Sequence, residues 1–203
     1  MTIYPMQGRG PYYTNCYLVI GDEPCAAGQR AAVLIDASVT PEQVEKQLQR
    51  YDAQLQAILL THGHKDHREQ LSKLKRAFAV PVWLDAADAR HFSISADCGY
   101  ADALINIGDL SLQPVAAPGH TPGSTVLLCG QVMFSGDTLF SGSVGRTDLP
   151  GGDTAQLMRS LHKLCLNCAE DLQVLPGHGE ATTFETERQI NPWLRAAQKE
   201  AFI

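Results

Sequence analysis

The sequence lacks the features that would place it in a membrane or on nucleic acid. No apolar run approaches the roughly 20 residues that a bilayer-spanning helix needs, and segment 1–15 has no apolar core typical of an export signal. The longest basic cluster is KLKR at 73–76, in a chain of formal net charge −6. Because binding to nucleic acid needs a clustered basic face, neither a membrane nor a nucleic-acid partner is expected.

Linkers, low-complexity tracts and long charge runs are also missing, which predicts a single domain over residues 1–203. A hydrophobic fraction of 44% is sufficient for a packed core at this length. Six cysteines without a recognisable export signal are typical of reduced thiols, so a cytoplasmic location is expected. Cys165 and Cys168 form a lone C-x-x-C, which we interpret as two ordinary thiols rather than a zinc knuckle or a redox pair.

Strand-like and helical patterns alternate along the chain. Thr40 followed by Pro41 predicts the start of a helix over 40–51, and Asp153 predicts an N-cap for a helix over 153–164. Further helical patterns occupy 69–79 and the segment that begins at 182. Strands are predicted at 15–20, 31–36, 57–60, 80–84, 110–117, 124–129, 131–136 and 173–176. Sheets inside and helices outside are therefore expected.

Three of the seven histidines lie within THGHKDH at 61–67, directly after an apolar run. A positive ion between the side chains would favour such a cluster, and imidazole and carboxylate groups are metal ligands. In an extended segment His62, His64 and Asp66 point to one side. His67 joins them if the chain turns into a helix there. The motif is therefore predicted on a loop that leaves a strand.

Three further turns place a His or an Asp beside glycine, each at the end of a predicted strand. They are PGHTPGS at 118–124, GDTLF at 136–140 and PGHG at 176–179. Glycine lets the backbone turn sharply, and sites in layered sheets form beyond the strand ends. The four turns supply five histidines and two aspartates, enough for two metal ions that share one carboxylate. The competing interpretation is that these histidines lie in unrelated surface loops.

H-x-H-x-D-H followed in order by a single His, an Asp and a last His resembles the metallo-β-lactamase superfamily over nearly the whole chain. The resemblance implies an α+β fold, a four-layer αββα sandwich with the site at one edge between two sheets. Asp36 matches a family position that supports the histidine loop from below. The resemblance implies one metal on His62, His64 and His120, a second on Asp66, His67 and His178, and Asp137 bridging the two.

Within the superfamily, the elements GDTLF, GRTD and PGHG resemble the glyoxalase II-like (hydroxyacylglutathione hydrolase-like) branch, particularly its short single-domain members. Class B lactamases lack the bridging aspartate, so antibiotic hydrolysis is not expected. The resemblance implies hydrolysis of S-2-hydroxyacylglutathione, or of a related small-molecule thioester. Two divalent ions, zinc by default with iron or manganese also compatible, would provide a metal-bridging hydroxide, oriented by Asp66, that attacks the thioester carbonyl.

Two departures from that branch concern substrate binding. Only 203 − 178 = 25 residues follow His178, where glyoxalase II has a helical domain that helps to bind glutathione. Arg68, Glu69 and Gln70 occupy the positions where the family usually has small residues, beside the second metal position. The identity of the thiol carrier is therefore left open by the resemblance.

Two other functions compete with thioester hydrolysis. The segment GSVGRTDLPGGD at 142–153 also resembles persulfide dioxygenases of the same superfamily, which would hold a single iron on His62, His120 and Asp137. Arg146, within this segment, is either a ligand for a substrate carboxylate or a structural partner of Asp148. The last alternative is a non-catalytic metal-binding module, against which the complete ligand set argues.

Overall fold

The computed structural model describes residues 1–25, 28–101, 103–169 and 171–199. Its strands are β1 (Thr2–Gln7), β2 (Asn15–Pro24), β3 (Arg30–Ile35), β4 (Ala53–Leu59), β5 (Val82–Trp83), β6 (Ile105–Ile107), β7 (Leu110–Ala116), β8 (Thr125–Cys129), β9 (Val132–Gly136), β10 (Leu139–Phe140), β11 (Ser143–Val144), β12 (Gln173–Pro176) and β13 (Thr182–Thr183). Its helices are α1 (Pro41–Tyr51), α2 (Leu71–Phe78), α3 (Ala86–His91), α4 (Thr154–Asn167), α5 (Phe184–Ile190) and α6 (Pro192–Lys199), with a 3-10 turn at Asp66–Arg68.

The first sheet contains β1 to β5 in chain order. The first three strands are antiparallel neighbours, whereas β3, β4 and β5 run parallel. Strand β4 ends in Ala57, Ile58 and Leu59, which are all buried, as expected for a parallel strand covered on both faces. The histidine motif leaves the carboxyl end of this strand.

The second sheet has the order β13-β12-β9-β8-β7-β6. Strands β7, β8 and β9 form an antiparallel meander, and β12 pairs parallel to β9. Strands β7, β9 and β12 therefore run in one direction, and their carboxyl ends lie at the same edge. The other three predicted metal-binding turns follow these three ends.

Three apolar layers separate the sheets and helices. Leu34, Val44 and Leu74 belong to the layer between the first sheet and the helices α1 and α2. A second layer, which includes Leu59 and Phe134, fills the space between the two sheets. A third layer joins the second sheet to α4, α5 and α6. The predicted α+β four-layer αββα sandwich is confirmed.

Local signals placed two helix starts correctly. Thr40 and Gln43 form a capping box at the start of α1, and the Asp153 carboxylate accepts a hydrogen bond from the Gln156 amide at the start of α4. The C-terminal helical pattern divides into two helices, because Asn191 leaves helical geometry and Pro192 begins α6. Within the described ranges, no helix combines the length and the apolar composition needed to cross a bilayer.

Candidate metal centre

The four predicted turns meet at one edge of the sandwich. The Thr125 amide of β8 donates to the Thr61 carbonyl over 2.9 Å, which joins the histidine loop to the second sheet. The Gly177 amide donates to the Gly136 carbonyl over 2.9 Å, which joins two of the other turns. All seven residues predicted as metal ligands come together here.

The first donor group consists of His62, His64 and His120, whose ligand nitrogens lie within 4.8 Å of one another. His64 Nδ1 is 2.9 Å from His120 Nε2. His62 is only 1% exposed, and its Nε2 is buried without a hydrogen-bond partner among the described residues. A buried polar atom without a partner is costly, and a cation at this point would satisfy it.

The second donor group consists of Asp66, His67 and His178. His178 Nε2 lies 3.1 Å from Asp66 Oδ2 and 3.3 Å from His67 Nε2. The 3-10 turn that begins at Asp66 brings His67 to the same side as Asp66, as the sequence predicted. Both Asp66 and His178 remain about one quarter exposed at the side chain.

Asp137 lies between the two groups. Its Oδ1 is 3.1 Å from His67 Nε2, and its Oδ2 is 3.5 Å from both His120 Nε2 and His178 Nε2. One carboxylate therefore reaches imidazoles of both groups. This is the position that a bridging ligand requires.

Hydrogen bonds outside the centre orient the imidazole rings. His67 Nδ1 lies 2.8 Å from Asp36 Oδ2, while His120 Nδ1 and His178 Nδ1 face backbone carbonyls at 2.7 and 2.9 Å. Because a carbonyl only accepts, each of these Nδ1 atoms carries the proton, and Nε2 can direct its lone pair inwards. Asp36 also accepts from the Thr61 amide at 2.8 Å, so it supports the loop as predicted. Converging lone pairs with supported rings fit divalent metal ions.

Comparison with known proteins assigns the family. A family model described as the metallo-beta-lactamase superfamily matches residues 9–178. The chain belongs to this superfamily. It is 31% identical to "Hydroxyacylglutathione hydrolase GloC" of Haemophilus influenzae, over 91% of this chain and 94% of that protein. With the His/Asp cluster, this assigns the chain to the superfamily's metal-dependent hydrolases.

Two solved structures resemble the chain closely. BLEG-1, described as a B3 metallo-beta-lactamase, superposes with a TM-score of 0.84 and 32% identity, covering 95% of this chain and 99% of that one. ETHE1 from Myxococcus xanthus superposes with a TM-score of 0.80 and 27% identity, covering 100% of this chain and 92% of that one. Proteins with different names thus share the superfamily fold, so the fold by itself does not identify a function.

In the metal-free protein, the ligand side chains of the two donor groups have strongly shifted pKa values. Burial lowers the pKa of His62 well below its usual value and that of His64 to about 4. Burial also opposes the protonation of His178, but hydrogen bonds with Asp137 and Asp66 raise its pKa to about 10. Burial would raise the pKa of Asp66, yet the hydrogen bond with His178 lowers it to about 2. At pH 7 His62 and His64 are therefore neutral. His178 carries a proton, and so does His67, because despite its burial Asp137 and Asp36 raise its pKa well above the usual value.

Two anchoring residues were missed by the sequence analysis. Asp88 of α3 is fully buried, and its carboxylate accepts from the amides of Gly63 and Gly123 at 2.7 and 2.6 Å and from the Thr121 hydroxyl at 2.8 Å. It therefore joins the loop of His62 and His64 to the loop of His120. Thr14 donates its hydroxyl to Asp66 Oδ2 over 2.9 Å. No motif surrounds either residue in the sequence.

Close packing explains why glycine occupies position 177, in the last of the four turns. A Cβ added to Gly177 would lie 2.3 Å from Asp137 Oδ1 and 2.5 Å from His67 Cε1. Any larger residue at 177 would therefore push into the centre. Gly136, just before Asp137, has a φ of +50°, which side-chain-bearing residues rarely adopt.

The unusual residues after the histidine motif have separate roles. Arg68 donates its Nε–H to the Gly63 carbonyl over 2.8 Å and so closes the histidine loop. The Gln70 amide donates to the Ala37 carbonyl at 2.9 Å just before α2 begins, and Glu69 faces the cleft above the centre.

Cys165 and Cys168 are free thiols, and burial raises the pKa of both. Neither belongs to a potential metal-binding group among the described residues.

An open cleft of about 790 Å³ lies over the centre. Its walls include the loop between β1 and β2, and the hairpin of β10 and β11. Arg146 also lines the cleft, where its guanidinium donates two hydrogen bonds to the Asp148 carboxylate at 2.6 and 2.7 Å. Both members of this pair are largely exposed. The structural pairing of Arg146 predicted as one alternative is therefore present.

Proposed function

We propose that the protein is a binuclear metal-dependent thioester hydrolase that acts on S-2-hydroxyacylglutathione or a related thioester. The observation that carries this proposal is the placement of Asp137 between two groups of three donors, beneath an open cleft. The similarity to the Haemophilus protein named hydroxyacylglutathione hydrolase supports this choice of substrate. Zinc is the proposed metal, and iron or manganese would suit the same ligands.

His62, His64 and His120 would hold one ion, and Asp66, His67 and His178 the other, with Asp137 shared. When bound, two such ions lower the pKa of an enclosed water and polarise a carbonyl. Asp66 is the residue that would orient the attacking water. Its low pKa keeps the carboxylate ionised, so it accepts a hydrogen bond without retaining the proton. The Thr14 hydroxyl donates to Asp66 Oδ2 and so holds this carboxylate in place.

Metal counting and a substrate panel test the proposal together. Elemental mass spectrometry of tag-free protein should find about two metal ions per chain. The panel contains S-lactoylglutathione, a thioester on an uncharged thiol, and a cephalosporin because of the similarity to BLEG-1. Thioester cleavage without lactam cleavage supports the proposal. Lactam cleavage alone would contradict it, and turnover of any member would exclude a non-catalytic metal-binding module.

A mononuclear-iron persulfide dioxygenase is the second candidate. His120 and Asp137 lie side by side with Nε2 and Oδ2 3.5 Å apart, and His62 presents its unpaired Nε2 next to them. The likeness to ETHE1 over the whole chain favours keeping this candidate. One iron per chain, with oxygen uptake on addition of glutathione persulfide, would replace the hydrolase proposal.

A further inference from the structure

The loop between β1 and β2, residues 8–14, forms one wall of the cleft, and we refer to it as the rim loop. Tyr12 and Tyr13 on this loop are 68% and 63% exposed, and both line the cleft. Large exposed aromatic side chains beside a cavity are typical of ligand contacts. The metal centre itself uses neither of these two rings.

The backbone of the rim loop is fixed by the centre below it. The Tyr12 carbonyl accepts from His178 Nδ1 at 2.9 Å, and Thr14 donates its hydroxyl to Asp66. The Gly8 amide donates to the Thr14 carbonyl over 2.8 Å. Tyr13 has a φ of +47°, and its carbonyl accepts from Gln7 Nε2 at 3.0 Å. The exposed rings are therefore presented by a fixed backbone, which lowers the entropic cost of binding.

Positive charge accompanies the aromatic rings. The chain has a net charge of −6, yet Arg9, Lys65 and Arg146 all line the cleft. Arg146 already forms an ion pair with Asp148. Within the described part of the chain, no carboxylate lies at ion-pair distance from Arg9, which is exposed. Arg9 is thus a guanidinium at the cleft mouth that is available to a carboxylate ligand.

We infer that Arg9 and Tyr12 form the subsite for the thiol carrier of the substrate, and that this carrier is a small thiol peptide with free carboxylates. Arg9 binds a carboxylate, and the Tyr12 ring packs against the carrier backbone. The inference rests on the proposed function for the name of the carrier. The carrier would therefore bind to the rim loop, which also forms hydrogen bonds with the metal ligands Asp66 and His178.

Binding of a non-hydrolysable probe tests this subsite separately from catalysis. The probe is S-methylglutathione, titrated calorimetrically into the metal-loaded protein and compared with S-methyl-N-acetylcysteamine, which has no carboxylate. Arg9→Gln should weaken S-methylglutathione binding by about fivefold, the upper range for an exposed ion pair, and 1 M salt should remove the difference. Tyr12→Ala should weaken it by about tenfold, while its backbone carbonyl still accepts from His178.

Two matched variants control for charge and for loss of an aromatic ring. Arg159→Gln removes one surface charge on α4 and Trp193→Ala removes one exposed ring on α6, both outside the cleft, and neither should alter binding. Equal effects of Arg9→Gln and Arg159→Gln, or no binding of S-methylglutathione to the wild type, would overturn the subsite. Specific binding without any thioester turnover would support the subsite and contradict the proposed function.

Discussion

The two donor groups of the metal centre differ in what surrounds and supports them. His62 and His120 of the first group are 1% and 2% exposed, and Asp88 holds their loops together from the interior. In the second group only His67 is fully buried, and Asp66 and His178 are about one quarter exposed at the side chain, whereas in the first group only His64 is partly exposed. Part of its support comes from the rim loop, through Thr14 and the Tyr12 carbonyl.

This difference predicts that the two metal positions respond differently to changes at the cleft. A buried carboxylate with three short hydrogen bonds is costly to disturb, so the first group should keep its geometry under most conditions. The second group receives supporting hydrogen bonds from a surface loop that also lines the cleft. We therefore expect the second metal position to be the weaker one and the more responsive to changes at the cleft.

Removing the shared ligand should have the largest effect. Asp137→Ala takes away the carboxylate that reaches both groups, and we expect metal content and kcat both to fall, kcat by more than about a hundredfold, since outer-shell changes alone cost 10–100-fold. Elemental mass spectrometry and thioester hydrolysis measure the two effects. Near-normal hydrolysis by this variant would contradict a binuclear centre.

Asp88→Asn tests the interior support of the first group. The asparagine NH₂ would face backbone amides that now donate to a carboxylate, so unfolding free energy should fall by about 3 kcal/mol, measured by urea denaturation of metal-free protein. Asp85→Asn is the matched control, because the Asp85 side chain only caps α3 by accepting from the Ala87 amide. Asparagine caps a helix about as well as aspartate, so Asp85→Asn should lower the unfolding free energy by less than about 0.5 kcal/mol. Equal losses in the two variants would refute a special role for Asp88.

The pH dependence of metal binding should differ between the groups. The pKa of His64, lowered to about 4 by burial, leaves it neutral above pH 5, and burial also lowers the pKa of His62 well below its usual value. These two ligands should therefore release no proton when metal binds between pH 6 and 8. His178, with its pKa raised to about 10, and His67, with its pKa raised well above the usual value by Asp137 and Asp36 despite burial, must each lose a proton, so affinity at the second group should rise about a hundredfold per pH unit. Zinc titrations in two buffers of different ionisation enthalpy count the protons. Equal proton release at both groups would rule out this distinction.

Thr14→Val should have the smallest effect and should act on the second group alone. Valine matches threonine in shape but cannot donate to Asp66, and loss of an outer hydrogen bond to a ligand lowers metal affinity by about tenfold. Competition with a zinc chelator measures this affinity. Thr14→Ser keeps the hydroxyl and should behave as wild type. A loss confined to the first group would reverse the proposed roles.

Most of the fold followed from local patterns. Thr40 with Pro41, and Asp153, fixed helix starts because a cap is decided by a few neighbouring residues. The strands β1, β6, β10, β11 and β13 and the helix α3 were not predicted. Apart from β1, which has six residues, these strands have two or three residues each. The positions of all these elements depend on sheet pairing and packing rather than on a periodic pattern.

The sequence by itself determined which residues could form the metal centre. These histidines and aspartates lie in glycine-containing turns that follow predicted strands, so their residue types and positions already indicate metal ligands. Only the tertiary structure decided how these residues are supported. Asp88 and Thr14 act across 25 to 52 positions of the chain, and a single Asp or Thr has no local signal for such contacts. Likewise, the availability of Arg9 and the pairing of Arg146 depend on which charges folding brings together.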